Sequence, residues 1–419
     1  MATRFWNPNA IALPQITTYT VTATPIGGTI GITINGKTVF YTCVTGDTVS
    51  TAAANLQALL LPTGNPPPPS EFADIVWTVF GSVITGTAAT VGTPYTTAVA
   101  TTGGAVMTQT TTQVNSSPSD VNNALNWLDG SGLTGLPANG DDVTISNSSI
   151  GLLWNVDSLN AILLNSLSIW QNFTGNIGLP EINQTGGYIE YRSTYFRIKI
   201  SSVVVGIGAG SGSGLMRLNV ESTVTSFDIL NTGAAGSGTP YALRLLGTNA
   251  GNTLRISGGT VGVAMLAGEV SNFSGGVTLD GGSVAIGSGV TLSGTLQVND
   301  GASAEVRCVP TTMQTIGGSL LVFAPTFGTP ATYATLTIQA GSTCQWVGPG
   351  VISTLNVTQA STFQKLDPAA LTITNGTISN DSRIEDPYSS QTYTNAIAVT
   401  GPITTGLITA GTGKHILIS

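Results

Sequence analysis

The chain has 419 residues, of which only 8% are charged, with a formal net charge of −8 and a mean hydropathy of +0.28. Disordered segments combine low hydrophobicity with high charge, so this chain is predicted to fold. The acidic balance excludes general nucleic-acid binding, which requires a basic surface. No apolar run reaches the roughly 18 residues of a membrane helix, and the N-terminus lacks the apolar core of an export signal. We therefore expect neither membrane insertion nor a signal peptide.

Residues 1–114 are predicted to form a small α+β module with a ββαββ-like order. The segment Thr29–Val44 alternates apolar and polar residues around Asn35-Gly36, a strong hairpin signal. An apolar stripe at helical spacing follows over residues 48–61, with Asp47 as the predicted N-cap. Further strand-like segments predict a sheet that closes over this helix.

Residues 115–162 are predicted to be a connector and an entry cap for the next domain. A short helix is predicted near Asp120–Leu128, and Gly- and Pro-rich turns follow it. Asp141 and Asp142 come directly after these turns and form a candidate cation site. Calcium needs about six to eight oxygen ligands, so two adjacent aspartates favour a capping role at a strand start.

Residues 163–419 carry a short strand signal that recurs along the chain. Between Val277 and Leu296, apolar-x-apolar triplets follow each other at steps of 7, 6 and 6 residues, which fits one circuit of three short faces. Gly and Asn at the pauses suit the corners. The pattern predicts a mostly β chain whose body is a right-handed parallel β-helix, or solenoid. A β-sandwich is the alternative, but sandwich strands run longer. The pairs expected to share a face are Leu254/Ile256, Val277/Leu279, Leu296/Val298, Leu320/Val322, Leu336/Ile338, Leu355/Val357 and Leu371/Ile373.

Candidate catalytic residues are sparse. The one histidine, His415, has no nearby acid, so Ser-His-Asp catalysis is not expected. Asp280 and Asp300 lie about one circuit apart, as a pair of glycosidase carboxylates would. Each precedes a glycine, which favours a turn corner instead. We predict no catalytic, cofactor or metal site and no enzyme activity.

The cysteines point the same way. Cys43, Cys308 and Cys344 form an odd set without CxxC spacing, which disfavours a metal site or a disulfide framework. We expect three buried thiols that behave as small apolar side chains.

Cations and aromatic residues cluster in one stretch, "GYIEYRSTYFRIKI", which ends at Ile200. Charged residues are typical of exposed or partner-facing strand edges. Charge reversal at Arg192 and Arg197 is expected to loosen assembly. The predicted interface residues are Tyr188, Tyr191, Arg192, Tyr195, Phe196, Arg197 and Lys199.

Two stretches resemble known families. "TINGKTVFYTCVTGDTVSTAAANLQALL" (Thr33–Leu60) resembles small modules in virion proteins of tailed phages and prophages. "NWLDGSGLTGLPANGDDVTI" (Asn126–Ile145) resembles the entry segments of parallel β-helices in phage and bacterial surface proteins. Its matching positions are Trp127, Pro137, Asp141 and Asp142. The resemblance implies a structural part of a phage-like particle.

The expected function is therefore that of a non-enzymatic virion structural protein: a head decoration, tail or fibre component assembled in the host cytoplasm. Its expected partners are other virion proteins and further copies of itself, as a homotrimer, because cyclic closure is the usual oligomer solution. A glycan-binding or glycan-cleaving tailspike that recognises a host-surface glycan is the alternative, with Trp346 beside Asp367 as the place for a site. A bacterial surface adhesin is a further alternative, but it requires an export signal.

Overall fold

Two hydrophobic cores, one for each part of the chain, organise the computed structural model. One core lies within residues 19–107, and the other extends from Trp6 to Val399. His415 lies outside the described residues, which are 2–221, 223–236, 240–324, 330–379, 381–401, 408–409 and 416–418.

The first core belongs to an N-terminal module of antiparallel strands and one helix. The helix α1 spans Val49–Leu60 and buries Ala52, Ala53, Leu56 and Leu60. A short 3-10 helix, Ser70–Asp74, leads into the second half of the module. The first eight strands of the chain are β1 (Thr3–Trp6), β2 (Ile16–Ala23), β3 (Thr29–Ile34), β4 (Lys37–Thr42), β5 (Ile75–Phe80), β6 (Val83–Ala88), β7 (Ala98–Thr102) and β8 (Val106–Gln113).

The module confirms the predicted hairpin and helix and corrects three details. Strands β3 and β4 pair through a turn in which Asn35 and Gly36 both have positive φ, as such a turn requires. The N-cap of α1 is Thr48, which exchanges hydrogen bonds with Thr51, so the prediction of Asp47 is wrong. The strand β8 was not predicted. The strands also form two sheets, ordered β5-β6-β2-β8 and β4-β3-β7, instead of one.

The second core lies inside a parallel β-solenoid that covers residues of about 142 to 400. Two 3-10 helices, Ala124–Asn126 and Ser158–Ala161, precede its regular part. Its strands, together with β9 of the entry cap, are β9 (Trp127–Asp129), β10 (Asp142–Ile145), β11 (Leu163–Trp170), β12 (Phe196–Ile207), β13 (Met216–Val220), β14 (Ser226–Ile229), β15 (Leu243–Gly247), β16 (Thr253–Ile256), β17 (Thr260–Val263), β18 (Ser271–Asn272), β19 (Gly276–Leu279), β20 (Ser283–Ile286), β21 (Val290–Thr291), β22 (Thr295–Asn299), β23 (Ser303–Val306), β24 (Thr312–Ile316), β25 (Ser319–Phe323), β26 (Thr332–Gln339), β27 (Thr343–Val347), β28 (Gly350–Val357), β29 (Thr362–Lys365), β30 (Leu371–Ser379), β31 (Arg383–Glu385), β32 (Gln391–Tyr393), β33 (Ile397–Thr400), β34 (Ile408–Thr409) and β35 (Ile416–Ile418).

The solenoid has two long walls, here called sheet 1 and sheet 2, and a short third sheet. The third sheet pairs β18 with β21. Sheet 1 runs through β10, β11, β12, β14, β16, β19, β22, β24, β26, β28 and β30 to β33 and β35. Sheet 2 runs from the start of β12 through β13, β15, β17, β20, β23, β25, β27 and β29 to β31 and β34.

The predicted three-face circuit is confirmed where it was derived. Val277 lies in sheet 1, Val284 in sheet 2 and Val290 in the third sheet, and Leu296 returns to sheet 1 opposite Val277. Alternate residues of each strand point inward and are buried, as the two-residue period of a strand requires.

Two of the predicted coil-to-coil steps are wrong. Leu296 stacks on Met313, and Leu320 lies in sheet 2 opposite Cys344 instead of following Leu296. Likewise, Leu371 stacks on the start of the preceding strand at Gly350 and does not stack on Leu355. The steps from Leu254 to Val277, from Val277 to Leu296 and from Leu336 to Leu355 are confirmed.

The first strand of the chain caps the solenoid. Strand β1 pairs in parallel with β10 and antiparallel with β9. The rings of Trp6 and Trp127 meet edge to face at 5.0 Å, and both side chains are buried. The helix predicted near Asp120–Leu128 is wrong, because only the 3-10 turn Ala124–Asn126 forms there.

One corner shows why small residues recur in this sequence. Gly206 has φ +91, and a Cβ at that position would lie 2.3 Å from the Asn231 carbonyl oxygen of the next coil. Glycine therefore meets two requirements at once: a left-handed backbone and a close approach between coils.

Candidate functional site: the junction between the module and the solenoid

The segment between β11 and β12 leaves the coil and reaches the N-terminal module. Asn183 Oδ1 accepts hydrogen bonds from the backbone N–H groups of Thr185 (3.0 Å) and Gly186 (2.8 Å), which forms a tight local turn. The chain after this turn returns toward the solenoid and carries Tyr188 and Arg192 against the module.

Arg192 is the centre of the contact between the two parts of the chain. Its Nη2 donates to Asp74 Oδ2 at 3.1 Å, and its Nη1 donates to the Pro94 carbonyl at 3.3 Å, both in the module. Its Nε donates to Glu190 Oε1 at 2.7 Å, and the Tyr188 hydroxyl also donates to Asp74. We call the following residues the junction cluster: Asp74, Tyr188, Glu190, Tyr191 and Arg192.

Aromatic rings complete the surroundings of Arg192. Its guanidinium carbon lies 4.7 Å from the ring centre of Tyr191 and 5.3 Å from that of Trp154. Trp154 belongs to the first coils, where it forms a parallel bridge with Asp120. Cation–π contacts of this kind stabilise a desolvated guanidinium. Arg192 is thus shared between the module and the entry of the solenoid.

The protonation states of the cluster suit a permanent contact. Burial lowers the pKa of Arg192, but Tyr191 and Glu190 outweigh this effect and raise it. Burial and the hydrogen bond to Asp74 raise the pKa of Tyr188, and burial raises that of Tyr191. Near neutral pH the tyrosines are therefore neutral donors, and Arg192 is a cation with a side chain only 9% exposed.

A cleft of about 790 Å³ lies beside the junction cluster, between the module and the first coils. Asp120 accepts hydrogen bonds from the Asn155 side chain and the Asn122 N–H, both at 2.9 Å, and burial raises its pKa. These bonds tie Asp120 to the local chain, so the cleft offers hydrogen bonding and aromatic contact to a polar group. Among its lining residues are Gln15, Tyr95, Asp120, Trp154 and Tyr191.

Two other predicted interface residues form contacts within the solenoid. The Tyr195 hydroxyl donates to Glu269 at 2.6 Å. Arg197 Nε donates to Glu221, one coil further on, at 3.0 Å. Both contacts join residues distant in the sequence, and neither involves the module.

The last two residues of the predicted set lie on β12. Phe196 is fully buried in the solenoid core, and Lys199 is partly exposed opposite Leu163 in sheet 1. The structure thus separates the predicted surface into a junction, an internal network and a core residue. Contact of these residues with another chain stays a prediction.

Sequence reasoning missed the acidic and aromatic partners of Arg192. Asp74 lies 118 residues before Arg192, and Trp154 lies in a segment without strand signals. A single sequence has no local feature that would link these positions.

The acidic candidates for glycan cleavage are occupied. Asp280 accepts hydrogen bonds from Arg255 Nε at 2.8 Å and from the Asn299 side chain at 2.9 Å. Asp300 lies in a turn with φ +32. Both aspartates therefore lie at coil corners, in line with the predicted corner role.

The place predicted for a tailspike site does not offer an aromatic platform. Trp346 is fully buried and donates from Nε1 to the Gly348 carbonyl at 3.1 Å. Asp367 pairs with Lys365, whose side chain is buried, and burial lowers the pKa of Lys365 to about 8. A sugar ring has no access to a tryptophan in this position.

Asp141 and Asp142 cap the solenoid entry. Asp141 accepts hydrogen bonds from the N–H groups of Ala2 (2.8 Å) and Ala138 (3.0 Å), and it pairs with Arg4 at 3.6 Å. Asp142 accepts a hydrogen bond from the Asn165 side chain at 2.6 Å. These donors favour the predicted capping role.

The cysteines are free and buried, as predicted. Burial raises the pKa of the Cys308 thiol to about 12 and also raises that of Cys344. These thiols are therefore protonated at neutral pH and poor nucleophiles.

Comparison with known proteins leaves the fold and the junction as the main guides to function. No protein-family model matches the chain, and no curated protein sequence is significantly similar to it. Within the described residues, three or more His, Cys, Asp or Glu side chains nowhere group as a metal site would require. None of the helices in the described ranges has the length and apolar character needed to cross a bilayer.

Proposed function

We propose that the chain is a non-enzymatic structural protein of a phage-like particle, such as a head decoration, tail or fibre component. In this role the solenoid is a stiff body, and the module docks it to other virion proteins. We further propose that the solenoid winds right-handed, as parallel strand connections in one sheet almost always do. The working form is a homo-oligomer, for which a trimer is the simplest closed arrangement.

The junction cluster is the observation that carries this proposal. A module that only bound a soluble partner could be joined to the solenoid by a flexible linker. Here Arg192 bonds to Asp74 and Pro94 of the module and lies over Trp154 of the first coils. The module therefore has a set orientation on the solenoid axis, which suits a part that transmits force or fixes spacing.

Particle association is the experiment that tests the proposal. Particles would be banded on a density gradient from cells that carry the gene, then probed with an antibody against the purified chain. We expect the chain to band with the particles, and gold-labelled antibody to decorate a repeated feature in negative stain. Cells in which the gene is deleted provide the control. Recovery of the chain only in the soluble fraction would contradict the proposal.

A further inference from the structure

The outer face of sheet 1 carries two columns of uncharged polar side chains. These residues alternate with buried ones such as Leu296 and Val298, so they point away from the core. One column, paired strand by strand, is Thr295, Thr312, Thr335, Thr354 and Asn375. The second column is Thr278, Gln297, Gln314, Thr337, Asn356 and Thr377. We call these two columns the polar ladder.

The polar ladder is regular and partly ordered by its own hydrogen bonds. Neighbouring strands of a sheet lie about 4.7–4.9 Å apart, so the side chains in each column repeat at that spacing. Asn356 Nδ2 lies 3.4 Å from Thr337 Oγ1 one coil away, and Asn375 Nδ2 donates to the Ser353 carbonyl at 3.2 Å. All of these side chains are half-buried or exposed.

Charge distinguishes this face from the rest of the chain. None of the ladder positions is charged, whereas the outer face of sheet 2 carries Glu305, Arg383 and Glu385 over the same coils. Two copies, each with a net charge of −8, repel wherever acidic surfaces come within about 8 Å at physiological salt. The polar ladder is the face on which two copies meet without that repulsion.

We propose that the polar ladder is a self-association surface that packs against the same ladder of a second copy. The inference rests on the proposed function, for which it names the surface of self-assembly. Identical columns share one spacing, so hydroxyl and amide groups of the two copies meet in matched rows. A two-fold arrangement is self-complementary, because each position contacts its symmetry equivalent or its neighbours.

The size of the face sets the expected strength. Five strand spacings and the strand width give roughly 500 Å² for each copy, or about 1,000 Å² for the pair. Stable complexes bury about 1,200–2,000 Å² in total, so the contact belongs to the weak, reversible class. We expect a dissociation constant of roughly tens of micromolar, which many copies on one particle would reinforce.

A neutral polysaccharide is the competing occupant and fits less well. None of the ladder positions is aromatic, so the face lacks the flat apolar rings on which a sugar could stack.

Sedimentation velocity from 1 to 200 µM, with paired charge variants, tests the proposal. Gln314→Arg with Thr337→Arg places two cations on the ladder, and Gln314→Glu with Thr337→Glu places two anions there. We expect each double variant alone to raise the dissociation constant at least tenfold, through like-charge repulsion. An equimolar mixture of the two is expected to associate again, because cation then meets anion.

Matched controls separate a lost interface from a lost fold. Gln345→Arg with Gln364→Arg adds the same charge to sheet 2 and is expected to leave association unchanged. Thr337→Ser, which retains the hydroxyl, is expected to associate as the wild type does, and circular dichroism should show the same melting curve for every variant.

Three outcomes would overturn the inference. They are a wild-type chain that stays monomeric at 200 µM, ladder variants that associate unchanged, and a mixture that fails to recover association. Retardation of a monomeric wild type in dextran-containing gels, lost in the ladder variants, would assign the face to a glycan instead. A chain that bands with particles but never self-associates overturns only this inference, whereas self-association without particle binding overturns only the proposed function.

Discussion

The module and the solenoid bury their apolar residues by different patterns of pairing. In the module, β2 lies between β6 and β8, so Tyr19 is opposite Ile84 on one side and Gln109 on the other. In the solenoid, each strand pairs in parallel with a strand one coil away, as Val277 does with Leu296. Interlocked antiparallel pairs favour one cooperative unit, whereas stacked coils add nearest-neighbour contributions. We therefore expect two separate unfolding behaviours, coupled only through the junction cluster.

Removing one core leucine from each region has the largest expected effect. Leu336 is fully buried between Met313 and Leu355 of adjacent coils, and Leu56 is fully buried on α1. Each Leu→Ala change is expected to lower the free energy of unfolding by about 2 to 5 kcal/mol. Hydrogen exchange should accelerate only in the coils near Leu336→Ala, but throughout the module for Leu56→Ala. Acceleration spread evenly over both regions in either variant would contradict separate unfolding.

Glycine substitutions compare a coil corner with a hairpin turn. Gly206→Ala adds about 1–2 kcal/mol of left-handed strain and a clash with Asn231 worth about 1–3 kcal/mol. Gly36 also has positive φ, but a Cβ there meets nothing within 4 Å, so Gly36→Ala is expected to show the strain alone. Urea unfolding of both variants measures the difference. Equal losses of stability would mean that close packing between coils contributes little at this corner.

Breaking the junction cluster tests the coupling between the two regions. Arg192→Met removes charge-assisted hydrogen bonds to Asp74, worth about 1.5–3 kcal/mol when buried. We expect faster hydrogen exchange near Asp74 and Pro94 and a larger maximum dimension in small-angle X-ray scattering. Arg197→Met is the control, because Arg197 pairs within the solenoid. An unchanged module in the Arg192 variant would show that other contacts fix its orientation.

The smallest expected effect is a pH dependence at the entry cap. Burial raises the pKa of Asp141, but hydrogen bonds from Ala2 and Ala138 and the charge of Arg4 outweigh it and lower the pKa. The unfolded chain, with a pKa of about 3.9, then binds the proton first as pH falls. The stabilisation is therefore present above about pH 4 and is lost as pH falls through the folded pKa.

Asp141→Asn removes this contribution. The variant is expected to be less stable than the wild type at pH 7, with a difference that narrows below about pH 4. Urea unfolding between pH 3 and pH 7 measures it, and Asp300→Asn, in a distant turn, controls for the loss of a carboxylate. A difference that stays constant across this range would rule out ionisation of Asp141 as the cause.

Local signals predicted much of the fold. The Asn35-Gly36 turn predicted its hairpin because the turn conformation depends on these two residues alone. The circuit from Val277 to Leu296 could be derived because glycines separate its three short faces. Leu320 was assigned to the wrong wall because an apolar-x-apolar triplet has the same form in sheet 1 and sheet 2.

Coil length and long-range partners were beyond the sequence. The step from Leu296 to its partner Met313 is 17 residues, and the next step, to Leu336, is 23 residues, so no fixed period exists. The partner of Arg192 could not be predicted, because Asp74 lies in another part of the fold. Phe196 was expected at a surface because the charges beside it concealed its inward position on β12.

The direct stacking of Val277 on Leu296 means that the chain returns to the same point of the wall after 19 residues. Removing one such circuit would shorten the body by about 4.8 Å and leave both ends unchanged. The coil is thus a unit of length, and the reach of the body can be adjusted in equal increments without altering the module at its base.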